Sequence, residues 1–152
     1  MLQITARTLA AQTLLRGMAP EHLARLAPAA SEVMFPVGHR IIEDGGYADG
    51  FWLIESGHVA LDARVPGDRR IVVGTVGIGG LLGWSWLLPP YQWAFGAVCL
   101  SEVKALRFNA AAVRDLCAAD PALKDELTQR VLRVVAVRVQ ETRARLIATL
   151  AA

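Results

Sequence analysis

The sequence predicts an α+β domain: a β-roll or jelly-roll of about eight antiparallel strands, with short N-terminal helices before it and a long C-terminal helix after it. Three observations carry that expectation. Between residues 31 and 108, short apolar runs are separated by Gly-, Pro- and Asp-containing turn signals, as in a series of short strands. After Pro121 neither Gly nor another Pro appears up to Leu150, which leaves room for one helix of about 45 Å. From Ile71 to Ser101 the chain carries no charged side chain. Gly74, Gly77, Gly79, Gly80, Gly83 and Pro89-Pro90 nevertheless break this run into pieces too short to span a bilayer as one helix. It belongs either inside a β-rich core or to a glycine-rich loop that wraps a small ligand, and the residues alone leave both open.

The elements follow in order. Thr5 to Leu15 reads as a short helix. Pro20 to Leu26 reads as a second, with Pro20 in its first turn and Glu21 near the positive end of its dipole. Val33, Phe35 and Val37 then recur at every second residue, as along one face of a strand. Pro36-Val37-Gly38 marks a turn, and His39 to Glu43 resumes extended chain. After the turn signals Asp44-Gly45-Gly46 and Ala48-Asp49-Gly50, Phe51 to Glu55 is a strand. Ser56-Gly57 is a tight turn and His58 to Arg64 the hairpin partner. Arg69 to Val76, Gln92 to Leu100 and Glu102 to Phe108 are further strands. Asn109 caps a helix over Ala110 to Ala118, and Asp120-Pro121 repeats a start signal. In the long helix, Leu123, Leu127, Val131, Val134 and Val135 form one apolar stripe. Leu132, Val135, Val139, Leu146 and Leu150 form another. One stripe is expected to cover the β-core and the other to meet a second subunit, with Leu132, Val135, Val139 and Leu146 at a dimer interface.

The chain is long enough for one domain over residues 1–152: helices over 1–30, the β-roll over 31–108, helices over 109–152. Its hydrophobic content, 54%, is above that of an average soluble domain and implies a thorough core or an apolar surface covered in an oligomer. The net charge is +2 and the arginines are scattered, without the basic stripe that nucleic-acid backbones require. Arg130, Arg133, Arg138, Arg143 and Arg145, interleaved with Glu126 and Glu141, read as a solvated helix face. Cys99 and Cys117 form no metal or redox motif and read as small core residues. His22, His39 and His58 lack partners at ligand spacing, and Glu43, Asp44 and Glu55 read as solvated positions. No metal set or nucleophile–base pair can be assembled, so catalysis is not expected. Arg7 and Arg16 interrupt any leader-like stretch, and a cytoplasmic location is expected.

Particular residues add a resemblance. Leu15, Met18 and Pro20-Glu21-His22-Leu23, then Phe35-Pro36-Val37-Gly38 with Ile41-Ile42 and Asp44-Gly45, then Phe51-Trp52-Leu53-Ile54 with Ser56-Gly57-His58-Val59, follow at matching places the motifs of one family. Together they resemble the cyclic-nucleotide-binding domain of the Crp/Fnr family over nearly the whole chain. That resemblance implies that Gly79 to Ala94 is a phosphate-binding cassette, in which glycines let the backbone approach a cyclic phosphate. The family pattern there is G-x-x-x-G-E, its glutamate accepting from the ribose 2′-hydroxyl, with a downstream arginine on the phosphate. Here Gly79 and Gly83 hold the glycine places, Trp84 stands at the glutamate position and Gln92 at the arginine position. Leaving a buried charge unpaired costs about 3–5 kcal/mol, or about two to four decades of affinity.

A cyclic nucleotide is therefore disfavoured as ligand, and no cofactor is assigned. The candidate ligand-binding residues are Leu82, Gly83, Trp84, Ser85, Trp86, Gln92, Trp93 and Ala94. Their aromatic rings imply either a pocket for a more apolar ligand or a self-filled site. No helix-turn-helix follows the long helix before Ala152, so DNA binding is not expected. Two functions remain: a non-catalytic sensor or regulatory module paired through its C-terminal helix, or a ligand-free module for dimerisation or for docking a protein partner.

Overall fold

A computed structural model describes residues 3–152. Helix α1 (Ala6–Ala10) begins at a reciprocal cap, in which the Thr5 hydroxyl accepts from the Thr8 amide and the Thr8 hydroxyl from the Thr5 amide. The single helix expected from Thr5 to Leu15 is in fact α1 and a separate 3₁₀ turn at Thr13–Leu15, divided at the extended Gln12. The break has a packing reason. A continuous helix, at about 100° per residue, would splay Leu9, Leu14 and Leu15 around its circumference; with the break all three are buried. Helix α2 (Pro20–Leu26) follows, with Pro20 in its first turn, as the sequence predicts.

Eight strands form two antiparallel four-stranded sheets. One runs in the order β1 (Ala30–Phe35), β8 (Val103–Asn109), β3 (Gly50–Ser56), β6 (Leu81–Leu82). The other runs β2 (Arg40–Ile42), β7 (Gly96–Cys99), β4 (Val59–Val65), β5 (Arg69–Val76). This is the expected jelly-roll. Gly50 to Ile54 are all buried, which is why Phe51-Trp52-Leu53-Ile54 reads as an unbroken apolar run rather than an alternation. Phe51 stacks between Trp86 (4.4 Å between ring centroids) and Phe108 (4.7 Å) and marks the centre of the core. Cys99 and Cys117 are buried in the same core, and burial pushes both thiols up.

Three strand expectations change. The first strand ends at Phe35, and Val37 lies exposed in the turn beyond it. The strand expected from Gln92 begins only at Gly96, because the chain before it pairs with the turn around Gly46 instead. The Trp93 amide donates to the Gly46 carbonyl at 2.9 Å, and the Gly45 amide to the Trp93 carbonyl at 2.8 Å. Strand β6, two residues long, lies inside what the sequence presents as loop. The uncharged run Ile71–Ser101 thus becomes most of β5, β6, a 3₁₀ turn and β7.

Asn109 and Asp120 cap α3 (Ala110–Ala119) and α4 (Pro121–Ala151), accepting from the amides of Ala112 and Leu123. Leu123, Leu127 and Val131 of α4 are buried, and Val134 and Val135 are half-buried against the core. The second stripe is largely open: Leu132, Val139 and Leu146 are each about three-fifths exposed, at 62%, 61% and 58%. Among the described residues no helix is long and apolar enough to cross a membrane.

Candidate ligand cavity against the C-terminal helix

The segment Gly79–Ala94 is stapled to β3 before it turns. The Gly79 amide donates to the Ile54 carbonyl at 2.8 Å, and the Ile54 amide donates to the Gly80 carbonyl at 3.0 Å. Leu81 and Leu82 then pair with Leu53 and Trp52 and are buried. Gly83 reverses the chain at φ +95°, a conformation that disfavours any side chain. The 3₁₀ turn Ser85–Leu87 follows, and the Trp86 indole N–H donates to the Gly83 carbonyl at 3.2 Å. From α3, Arg114 donates to the Trp86 carbonyl at 2.9 Å and to the Tyr47 hydroxyl at 3.0 Å, and its guanidinium lies over the Tyr91 ring.

The Trp93 ring packs against Gly83. A Cβ placed on Gly83 would lie 2.7 and 2.8 Å from two ring carbons of Trp93, so the indole of Trp93 sits on the glycine face. Trp93 is buried, 6.0 Å from Trp52 between ring centroids. Leu82 and Trp86 are core, Ser85 is half-buried, and Gln92 and Ala94 are exposed. The eight candidate residues therefore do not converge on one space.

Trp84 alone among them lines a cavity of about 490 Å³ between β4, β5 and α4. Leu61 of β4 and Phe95, which packs against Trp84 at 5.2 Å, line its inner wall. Val135, Arg138, Val139 and Leu146 of α4 line the other side. Of the four residues expected at a dimer interface, Val135, Val139 and Leu146 thus border the cavity, and Leu132 does not.

Arg138 is the residue that sequence reasoning misplaces. Its guanidinium lies 4.8 Å from the centre of the Trp84 ring, and Nη2 donates to the Leu81 carbonyl. Its Nη1 is buried without a partner, and burial pulls its pKa down. The cassette itself holds no Lys or Arg; the cation arrives from a helix 57 positions downstream. Arg130 likewise turns inward, donating to the carbonyls of Leu14 and Arg16. The expected solvated face is correct for Arg133, Arg143 and Arg145 and wrong for these two. Arg138, seven residues after Val131 and four after Val134, falls on the line of the buried stripe, and its long stem lies along that apolar surface.

A second polar cluster supports the sheet. Asp62, buried on β4, takes a two-point bond from Arg40 (3.0 and 2.8 Å) and a third from Arg70 (3.0 Å). The Arg40 hydrogen bonds, outweighing burial, hold the Asp62 carboxyl below the usual carboxylate range. Arg70 does the same for Asp44, which is therefore paired rather than solvated. Among the described residues no group of three or more His, Cys, Asp or Glu side chains forms a metal site.

Two antiparallel sheets, closed by the Gly79–Ala94 loop and backed by α4, make this a jelly-roll domain of the cyclic-nucleotide-binding type. The chain belongs to the cyclic nucleotide-binding domain family, whose model matches residues 32–120. It is 28% identical over 134 residues to a CRP-like cAMP-activated global transcriptional regulator of Mycobacterium tuberculosis, covering 88% of this chain and 58% of that protein. The chain thus spans little more than half the length of that curated relative. Among solved structures, it resembles a protein from Geobacter metallireducens GS-15 described as cyclic nucleotide-binding, with a TM-score of 0.81, 26% identity, and coverage of 90% of this chain and 98% of that one. It shares its fold with the catabolite activator protein of Thermus thermophilus, at a TM-score of 0.71 and 22% identity, over 91% of this chain and 63% of that one.

Proposed function

We propose that the chain is a non-catalytic regulatory module that keeps the architecture of its family but binds cAMP and cGMP weakly or not at all. The observation that carries this reading is the Trp93 indole seated on Gly83. The glycine face that would cradle a phosphate holds a protein ring. Trp84 and Gln92 also replace the acid and the base that the family pattern places there. The effector space is then the cavity beside α4, and its occupancy acts on the position of α4.

The module pairs with a second copy through α4. Leu132, Val139 and Leu146 recur every seven residues, the spacing of a coiled-coil seam, and all three are open in the single chain. A ligand-free docking module is the second reading, favoured by the way Trp93 fills the cassette and by the exposed Ile71 and Val72 on β5.

A thermal-shift titration with cAMP, cGMP and cyclic dinucleotides tests the proposal. A ligand present at 100 times its Kd adds about 2.7 kcal/mol of stability, or about 5–10 °C in a domain of this size. No such shift is expected with cAMP or cGMP at 100 µM, and a shift of that size refutes the reading. A protein partner recovered in pull-downs, with no ligand shift at all, favours the docking reading.

A further inference from the structure

A second cleft, of about 350 Å³, lies where the 3₁₀ turn Thr13–Leu15, the start of β6 and α4 come together. It shares only Arg138 with the cavity that Trp84 lines. Among the described residues its lining carries four arginines, Arg16, Arg130, Arg133 and Arg138, and no acidic side chain. None of the four forms an ion pair among the described residues. Glu141 lines the adjoining groove with Thr75 to Ile78, and not this cleft.

The four arginines are of two kinds. Arg130 and Arg138 are half-buried and fixed to backbone: Arg130 donates to the carbonyls of Leu14 and Arg16 at 2.9 Å each, and Arg138 donates to that of Leu81. Carbonyl oxygens satisfy N–H groups but cancel no charge, so both remain uncompensated cations in the wall. Burial disfavours the charge on Arg138, and an anion nearby opposes that effect. Arg16 and Arg133 are exposed, and neither guanidinium is hydrogen-bonded among the described residues. Arg16 comes from the chain before α2 and Arg133 from α4, so two separate elements present them to the cleft.

The rest of the lining narrows the ligand. Gly79 and Gly80 offer no free amide, since they donate to the carbonyls of Ile54 and Gly77. The Thr13 side chain is exposed and lies against Gly79, where a Cβ would meet its Oγ1 at 2.6 Å. No aromatic ring lines the cleft among the described residues, so nothing there stacks on a nucleobase. A concave site with four positive charges and no negative one concentrates anions, and guanidinium forks match oxyanions that offer paired oxygens.

We propose that this cleft binds a small phosphate anion with at least two linked phosphates, held directly by the exposed guanidinium groups of Arg16 and Arg133. The Thr13 hydroxyl supplies a further donor. Arg130 and Arg138 act through their charge, without contact. A single phosphate serves one fork, whereas a linked pair serves both and carries more charge. The bound anion joins the N-terminal turn to α4. The proposal is independent of what the cassette or the cavity beside Trp84 receives.

Calorimetry of the wild-type chain with inorganic pyrophosphate and with orthophosphate, in metal-free buffer at about 0.15 M salt, tests it. Pyrophosphate is expected to bind at one site per chain, at least about tenfold more tightly than orthophosphate. Arg16→Gln and Arg133→Gln are each expected to weaken it at least about tenfold, since each removes a charge-assisted bond. Arg143→Gln, which takes an equal charge from α4 outside the cleft, is expected to leave the Kd within about twofold. No saturable binding, equal affinity for the two anions, an unchanged Kd in both cleft variants, or an equal loss in Arg143→Gln overturns the proposal; the last outcome marks general attraction to a basic surface. Should one cleft variant fail to fold, the other decides.

Discussion

Substituting Gly83 by Ala tests whether the cassette glycine serves an internal ring. Two costs add. At φ +95° a Cβ is strained by about 1–2 kcal/mol. The same Cβ would lie 2.7 and 2.8 Å from Trp93 carbons, and this overpacking costs about 1–3 kcal/mol. The sum is about 3 kcal/mol, or about 6–12 °C in melting temperature. Trp93→Leu alone loses burial and is expected to cost a similar amount. In Gly83→Ala/Trp93→Leu the clash has no partner, so only the backbone strain and the lost burial remain. The double variant is therefore expected to be about 1–2 kcal/mol more stable than additivity allows, measured by urea denaturation at constant m-value. Additivity within about 0.5 kcal/mol would show that the ring does not press on the glycine, and the self-filled cradle would fail with it.

Two further outcomes follow from the helix and the sheet. In the pairing proposed for α4, Leu132→Glu, which lies outside the cavity lining, removes an apolar residue from both copies at once; it is expected to raise the dissociation constant of that pair by about two to four decades, and an unchanged mass by analytical ultracentrifugation would refute pairing through α4. Asp62→Asn is expected to cost about 2–3 kcal/mol at neutral pH, since it takes the charge from a carboxylate holding two arginines. Because the folded carboxyl titrates below its unfolded value of about 3.9, its contribution is complete above that pH and disappears as pH falls through the lower folded value. The difference between wild type and Asp62→Asn should therefore shrink steadily as pH falls below about 3.9; a difference that stays constant as pH falls through the acid range would show that the bond is not ionic.

Much of the architecture is legible because its signals are local. Pro20, Asn109 and Asp120 mark helix starts through groups that act within one turn of themselves, and each does so in the structure. The run Phe51–Ile54 and the turn at Gly57 define a hairpin by composition alone. Strand β6 escapes notice because two residues cannot show a period, and it forms only because β3 offers an edge. The 3₁₀ turn after Gln12 escapes for the converse reason: helix propensity runs on, while burial of Leu14 and Leu15 ends it.

The candidate site is less legible. Aromatic residues in the cassette signal a pocket, but two of its three tryptophans, Trp86 and Trp93, become core, and only Trp84 faces the cavity. Phe95 and Leu61 carry no signal beyond ordinary strand residues. Arg138 lies seven residues after Val131 and four after Val134, on the line of the buried stripe, so helical spacing turns it inward; its partner depends on where the β3–β6 edge leaves the Leu81 carbonyl. Long-range placement of this kind is decided by tertiary packing, which spacing along one chain does not encode.

On the proposed function, Trp93 occupies the phosphate cradle of a cyclic-nucleotide-binding fold, and Trp84 and Gln92 stand where the charged pair for the sugar phosphate would be. Isothermal calorimetry of the wild-type chain with cAMP measures this directly. No saturable heat is expected, meaning a Kd above about 100 µM; a Kd of about 1 µM or lower at one site per chain would contradict the occupied cradle.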